Sequence, residues 1–223
     1  MLRVGLTGGV GSGKSTAGKM LAEWGAHVLD SDAIGRAMME PGHPVYGAIV
    51  ERFGEAVVCA DGRLNRNALA RIGFTEGRIE ELNAIVHPAV IARQAEMMRE
   101  IGEREPGAVC VVESALIFET RHGDGIGGDW RSRFDRIILV TAPEEVRLAR
   151  FVLRGAAGKA VSEEQQRALN MDGRRRMARQ MNDAAKAADC DYVIENAGTL
   201  DELQRKLRPV WDGLRREASA STR

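Results

Sequence analysis

The chain has 223 residues, of which 32 are basic and 32 acidic, so its formal net charge is zero. That balance excludes a strong pull toward nucleic acid or an anionic membrane surface, and the length suits one α/β domain with an elaboration, acting on a small-molecule substrate. Cys59, Cys110 and Cys190 lie far apart and form no C-x-x-C pair, which excludes a disulfide framework or a zinc site of that type.

In chain order, residues 2–6 read as a buried strand and residues 15–24 as a helix, and between them lies GLTGGVGSGKST. Glycine at this density is a poor element interior, because it costs ordering entropy and adds nothing to a core. The spacing Gly8-x-x-x-x-Gly13-Lys14-Ser15 instead fits a phosphate-binding loop between strand and helix. In that loop the backbone N–H groups of Gly8, Gly11, Ser12, Gly13, Lys14, Ser15 and Thr16 form the expected ATP cradle. Lys14 reaches the outer phosphates, and Ser15 ligates Mg²⁺.

Four further apolar runs, 26–29, 108–112, 136–140 and 192–194, read as strands. Continuous rather than alternating apolar character suits a parallel sheet covered by helices on both faces, an α/β three-layer fold of the phosphate-loop NTPase kind. Ligands then belong at the carboxyl ends of the strands, where Asp32 and Glu113 fall beside the phosphate loop. Asp30-Ser31-Asp32 also precedes a helical pattern over 33–39, so these residues read equally as helix caps. With a phosphate loop upstream, Asp32 becomes a candidate base for phosphoryl transfer to a hydroxyl.

Residues 37–107 depart from the alternation and read as a helical insertion, with helical runs over 46–53, 66–72 and 78–104 and a turn at Asp61-Gly62. The core is then 1–36 plus 108–223. A glycine-rich break over 155–160 leads into a charged region, 172–179, that reads as an arginine-bearing lid over roughly 150–180 or as a solvated basic face. No apolar run approaches the roughly 18 residues of a membrane span and no cationic leader precedes the first strand, so a cytoplasmic protein with no membrane partner is expected. The segment from Arg215 to Arg223 is expected to fray.

Taken together, these motifs resemble the dephospho-CoA kinase family, and the resemblance runs through nearly the whole chain. It rests on GLTGGVGSGKST, on VLDSDAIGR over 28–36, on DGRLNR over 61–66, and on LNAIVHP over 82–88. It continues through VVESALIFE over 111–119, Arg150 and Arg154, Gln180, Lys186, and DYVIENAG over 191–198. The resemblance implies a nucleotide-kinase-like fold, ATP and Mg²⁺ as cofactors, and dephospho-CoA as the small-molecule acceptor, with no obligate protein partner. It implies Asp32 as the base and Lys14 as the second catalytic group. Arg36 and His87 would lie on the acceptor side, with 37–107 as the acceptor domain. Arg150, Arg154 and Asn196 would lie on the ATP side, and Glu113 would stand near the metal, through water. His87 also reads as a structural residue, standing before Pro88 where a helix would break.

The chain departs from the family pattern at several points. Glu113 and Ala115 stand where aspartate and proline are usual, Arg147 replaces a glutamine, Gly155 stands where aspartate often follows the arginine, and the stretch from Thr120 to Phe134 is long and glycine-rich. Among competing readings, a nucleotide-dependent switch gains Asp32-x-x-Gly35 but lacks any N-K-x-D sequence. RNA binding through Arg174 to Arg176 lacks net charge and aromatic platforms. Another small-molecule kinase, of nucleoside, nucleotide or shikimate type, is the nearer alternative.

Overall fold

The computed structural model describes residues 1–120, 129–157, 159 and 162–220. Most of the glycine-rich stretch after Thr120, part of the 155–160 break and the last three residues of the tail lie outside the described residues. Five strands form one parallel sheet: β1 (Leu2–Thr7), β2 (His27–Asp30), β3 (Val109–Glu113), β4 (Arg136–Thr141) and β5 (Tyr192–Glu195), in the order β2-β3-β1-β4-β5. The chain moves from β1 toward β2 on one side and later toward β4 and β5 on the other. The crevice where that order reverses lies at the end of β1, where the phosphate loop begins.

Each central strand is buried on both faces, which explains the unbroken apolar runs. Val109 and Val111 of β3 face a core shared with α1 (Lys14–Glu23) and α10 (Leu200–Ala220). Cys110 and Val112 face the opposite core, with Met98 and Ile101 of α5 (Ile79–Arg104). A third, smaller core lies in the helical insertion and joins α3 (Pro44–Phe53) and α4 (Arg66–Phe74) through Val45, Ile49, Leu69 and Ile72. A 3₁₀ turn (Glu55–Val57) and a bridge between Val58 and Leu64 close the connection around Asp61-Gly62. Helix α5 belongs to both bodies: its first half packs on α2 (Ser31–Met38), α3 and α4, and its second half on the sheet.

The helical run expected over 78–104 is present as α5, and Pro88 lies inside it, so the helix break expected beside His87 does not occur. A proline costs the helix one hydrogen bond, yet packing at both ends of α5 holds it continuous through that gap. The tail does not fray at Arg215, because α10 continues to Ala220 with Leu214 and Ala218 fully buried. Between β4 and β5 lie α7 (Glu144–Gly155), α8 (Glu163–Ala178) and the short α9 (Asp183–Ala187), while the single turn α6 (Trp130–Arg133) precedes β4. All three cysteines are free. Burial pushes the thiols of Cys110 and Cys190 up to about 12, so neither is a nucleophile near neutral pH. No helix among the described residues is long and apolar enough to cross a membrane.

Candidate active site

Strand β1 delivers the chain to the phosphate loop, and α1 receives it at Lys14. Gly13 caps α1 in the left-handed conformation without a side-chain cap, and its carbonyl takes the Thr16 and Ala17 N–H groups, so among the described residues the Lys14 and Ser15 N–H groups are left to a ligand. Gly11 shows why the loop excludes side chains: at φ 77°, a Cβ there would sit 2.2 Å from the Arg147 carbonyl oxygen.

Distant residues hold the loop in shape. Arg147 Nε donates to the Val10 carbonyl at 3.0 Å, and its Nη1 donates to Asp183 Oδ2 at 2.9 Å. Asp183 also accepts from Thr141 Oγ1 at 2.5 Å, and Gln180 Oε1 accepts from Val10 N at 2.9 Å. Asn196 Nδ2 donates to the Ser12 carbonyl at 2.8 Å, and Arg150 Nη1 donates to the Asn196 carbonyl at 2.9 Å. Arg147 and Asp183 were not candidates from sequence. The replacement of a glutamine by Arg147 was the available signal, and its meaning depends on a fold that brings α7 under the loop.

At the carboxyl edge, Glu113 Oε1 accepts from Lys14 Nζ at 2.9 Å and from Ser15 Oγ at 2.5 Å, and Glu113 is only 8% exposed. The register pairs Leu6 and Asp30 each with Glu113, so the loop, Glu113 and the start of α2 stand at one level of the sheet. A carboxylate and a hydroxyl sharing one point, beside a lysine, form a hard oxygen donor set that suits Mg²⁺.

The capping question at the end of β2 is resolved in favour of Asp30. Its carboxylate accepts from Ala33 N at 3.0 Å, and Asp32 lies exposed in the first turn of α2. Asp32 is therefore not the cap. Together with Arg36 and His87 it lines a cavity of about 300 Å³ between α2, α5 and the chain after β3. Ser31 Oγ is fixed by Gln94 Nε2 of α5 at 2.8 Å, which ties the Asp32 turn to the insertion. Arg36 stays half exposed, 3.9 Å from Asp30. Arg154 lies with its guanidinium 5.9 Å from the Phe151 ring centre, and among the described residues no hydrogen bond joins it to the loop. The basic run on α8 is paired and solvated: Arg174 meets Glu144 and Arg176 meets Asp172, each at 2.9 Å.

The dephospho-CoA kinase family model matches residues 2–202. A dephospho-CoA kinase of Corynebacterium jeikeium is 38% identical over 217 residues, covering 96% of this chain and all of that protein. One of Thermobifida fusca is also 38% identical, covering 97% of this chain and 98% of its own. Among solved structures, that of TT1252 from Thermus thermophilus is 32% identical with a TM-score of 0.70, covering 96% of this chain and 97% of that one. A dephospho-CoA kinase from Campylobacter jejuni, 18% identical with a TM-score of 0.56, covers 95% of this chain and 96% of its own and shares the fold. With the phosphate loop, the carboxylate level and the cavity beside Asp32 on one edge of the sheet, and relatives of this identity over nearly its full length, the chain belongs to the dephospho-CoA kinase family.

Proposed function

We propose that this chain transfers the γ-phosphate of ATP to the ribose 3′-hydroxyl of dephospho-CoA, giving CoA and ADP as the last step of coenzyme A biosynthesis. The observation that carries the reading is the cavity whose wall holds Asp32, two residues past the end of β2, on the same edge of the sheet as the phosphate loop and Lys14. Lys14 and the loop N–H groups hold the ATP phosphates and stabilise the charge that develops on the transferred group. Asp32 orients the acceptor hydroxyl and accepts its proton. Ser15 and Glu113 are the residues that would hold Mg²⁺, Glu113 through water, and the ion would neutralise charge between the outer phosphates.

Arg150 and Asn196 keep the loop in its binding shape and border the ATP side, while α7 and α8, with Arg154, form the lid that excludes water. Residues 37–107 form the acceptor domain, which shares α5 with the core and presents His87 to the cavity beside Arg36. The same reading makes the enzyme cytoplasmic and independent of a protein partner.

The test is ADP release across a panel of acceptors with ATP and Mg²⁺ supplied. Dephospho-CoA is expected to be phosphorylated at the ribose 3′-oxygen, adenosine and AMP to be poor acceptors, and shikimate to be inert. Equal rates with dephospho-CoA and AMP would leave a phosphate-loop kinase but remove this acceptor.

A further inference from the structure

The cavity beside Asp32 holds a second arginine for which the reaction as described has no use. Arg133 ends α6, and its Nη2 donates to the Ile117 carbonyl at 3.1 Å and to Thr120 Oγ1 at 2.9 Å. Its Nε is buried and has no hydrogen-bond acceptor among the described residues. Among the described residues no carboxylate comes within ion-pair distance, since the nearby Asp129 pairs with Arg131. Burial lowers the Arg133 pKa from the usual guanidinium value, and Asp129 offsets only part of that effect. A desolvated cation with an unused donor is costly unless an anion joins it.

Its place in the fold indicates which anion. Arg133 and Phe134 line the same cavity as Asp32, but they approach it from the β4 side, whereas Asp32 follows β2. In the parallel sheet those strands stand three positions apart, and Arg133 precedes the start of β4 while Asp32 follows the end of β2. Arg133 is therefore remote from the hydroxyl held by Asp32, and the cavity they share also carries apolar lining from Val90, Val112, Leu116 and Ile117. An acceptor reaching both ends needs a reacting hydroxyl at one and an anionic group at the other.

We propose that Arg133 is a positioning residue that binds a phosphate of the acceptor's diphosphate group and so fixes the ribose against Asp32. The proposal rests on the dephospho-CoA reading. Binding energy from a remote substrate group can be used to orient the reacting one, and a guanidinium fork matches phosphate oxygens.

Steady-state kinetics of Arg133→Gln and Arg133→Lys in the full chain, with unfolding temperatures measured in parallel, test it. Arg133→Gln is expected to raise KM for dephospho-CoA and to lower kcat with it, so that kcat/KM falls about tenfold or more, the size of a lost charged hydrogen bond, with KM for ATP changed less than about twofold. Arg133→Lys keeps the charge without the fork and is expected to restore part of that loss. The slow reaction with adenosine, which has no diphosphate, is expected to stay the same in both variants. An unchanged kcat for dephospho-CoA, or equal losses with dephospho-CoA and adenosine, overturns the inference. If the glutamine variant does not fold, the lysine variant decides by the same split. Failure of the wild type to phosphorylate dephospho-CoA would overturn the functional reading itself, whereas an active wild type with indifferent variants removes only the role of Arg133.

Discussion

At the scale of single residues, the proposed reaction separates groups expected to act on substrate from groups that hold the chain. Lys14 is the cation that meets the buried Glu113 carboxylate, so Lys14→Ala is expected to nearly abolish transfer and also to lower the unfolding temperature, since it leaves that carboxylate unpaired. Near-normal turnover in the folded variant would remove the phosphate-loop assignment. Asp32 is a sharper case, because the cap of α2 is made by Asp30. Asp32→Asn keeps the size but cannot take the proton, and turnover is expected to fall about 10² to 10⁴ fold with stability unchanged. The reverse result, lost stability with turnover per folded molecule preserved, would assign Asp32 to the scaffold. Sequence reading could not choose between adjacent aspartates for the cap, since either side chain can bond an N–H two or three residues on. Which one does so depends on where β2 stops, and β2 includes Asp30.

At the scale of elements, what was legible was what local patterning determines. All five strands fall within one residue of their expected bounds at either end, because each is a short apolar run that a two-sided burial demands. Less legible was whatever depends on contacts far apart in sequence. Arg147, Gln180, Asp183 and Asn196 support the phosphate loop from beyond β4, and nothing in their local sequence says that they meet Val10 and Ser12. Two glycines separate the loop's need for space from its need for backbone freedom. Gly11 (φ 77°) has the Arg147 carbonyl against it, whereas Gly25 (φ 106°), at the turn after α1, has open space around it. Gly25→Ala meets only the left-handed penalty of about 1 to 2 kcal/mol, lowering the unfolding temperature by a few degrees with activity intact. Gly11→Ala adds a clash with backbone, so ATP turnover is expected to collapse as well. Equal activity in the two variants would show that the loop tolerates displacement and that its close packing on Arg147 is incidental.

At the scale of the whole molecule, the joints between separate segments make stability depend on pH in a predictable direction. Asp135, just before β4, accepts from Arg3 of β1 through the backbone N at 2.8 Å, Nε at 3.1 Å and Nη2 at 2.6 Å. Partial burial pushes its carboxyl up, but the Arg3 hydrogen bonds and charge outweigh that and hold its pKa below the ordinary aspartate value. Glu81 of α5 is held down to about 2 by hydrogen bonds from Arg78 and from Arg52 of α3, which fastens two helices of the insertion. A carboxylate whose folded pKa is depressed gives stability that is fully present above its unfolded pKa and is lost as pH falls through the folded one. Both joints therefore hold at neutral pH and weaken from about pH 4 downward, where unfolded Asp and Glu begin to bind protons. The Asp135 joint belongs to the sheet, so Asp135→Asn is expected to lower the unfolding temperature at pH 7. The gap to wild type should then narrow as pH falls below about 4. Thermal unfolding of both proteins from pH 7 to pH 3 measures this, and a gap that stays constant through that range would show that the contact with Arg3 acts by shape alone and not through the carboxylate charge.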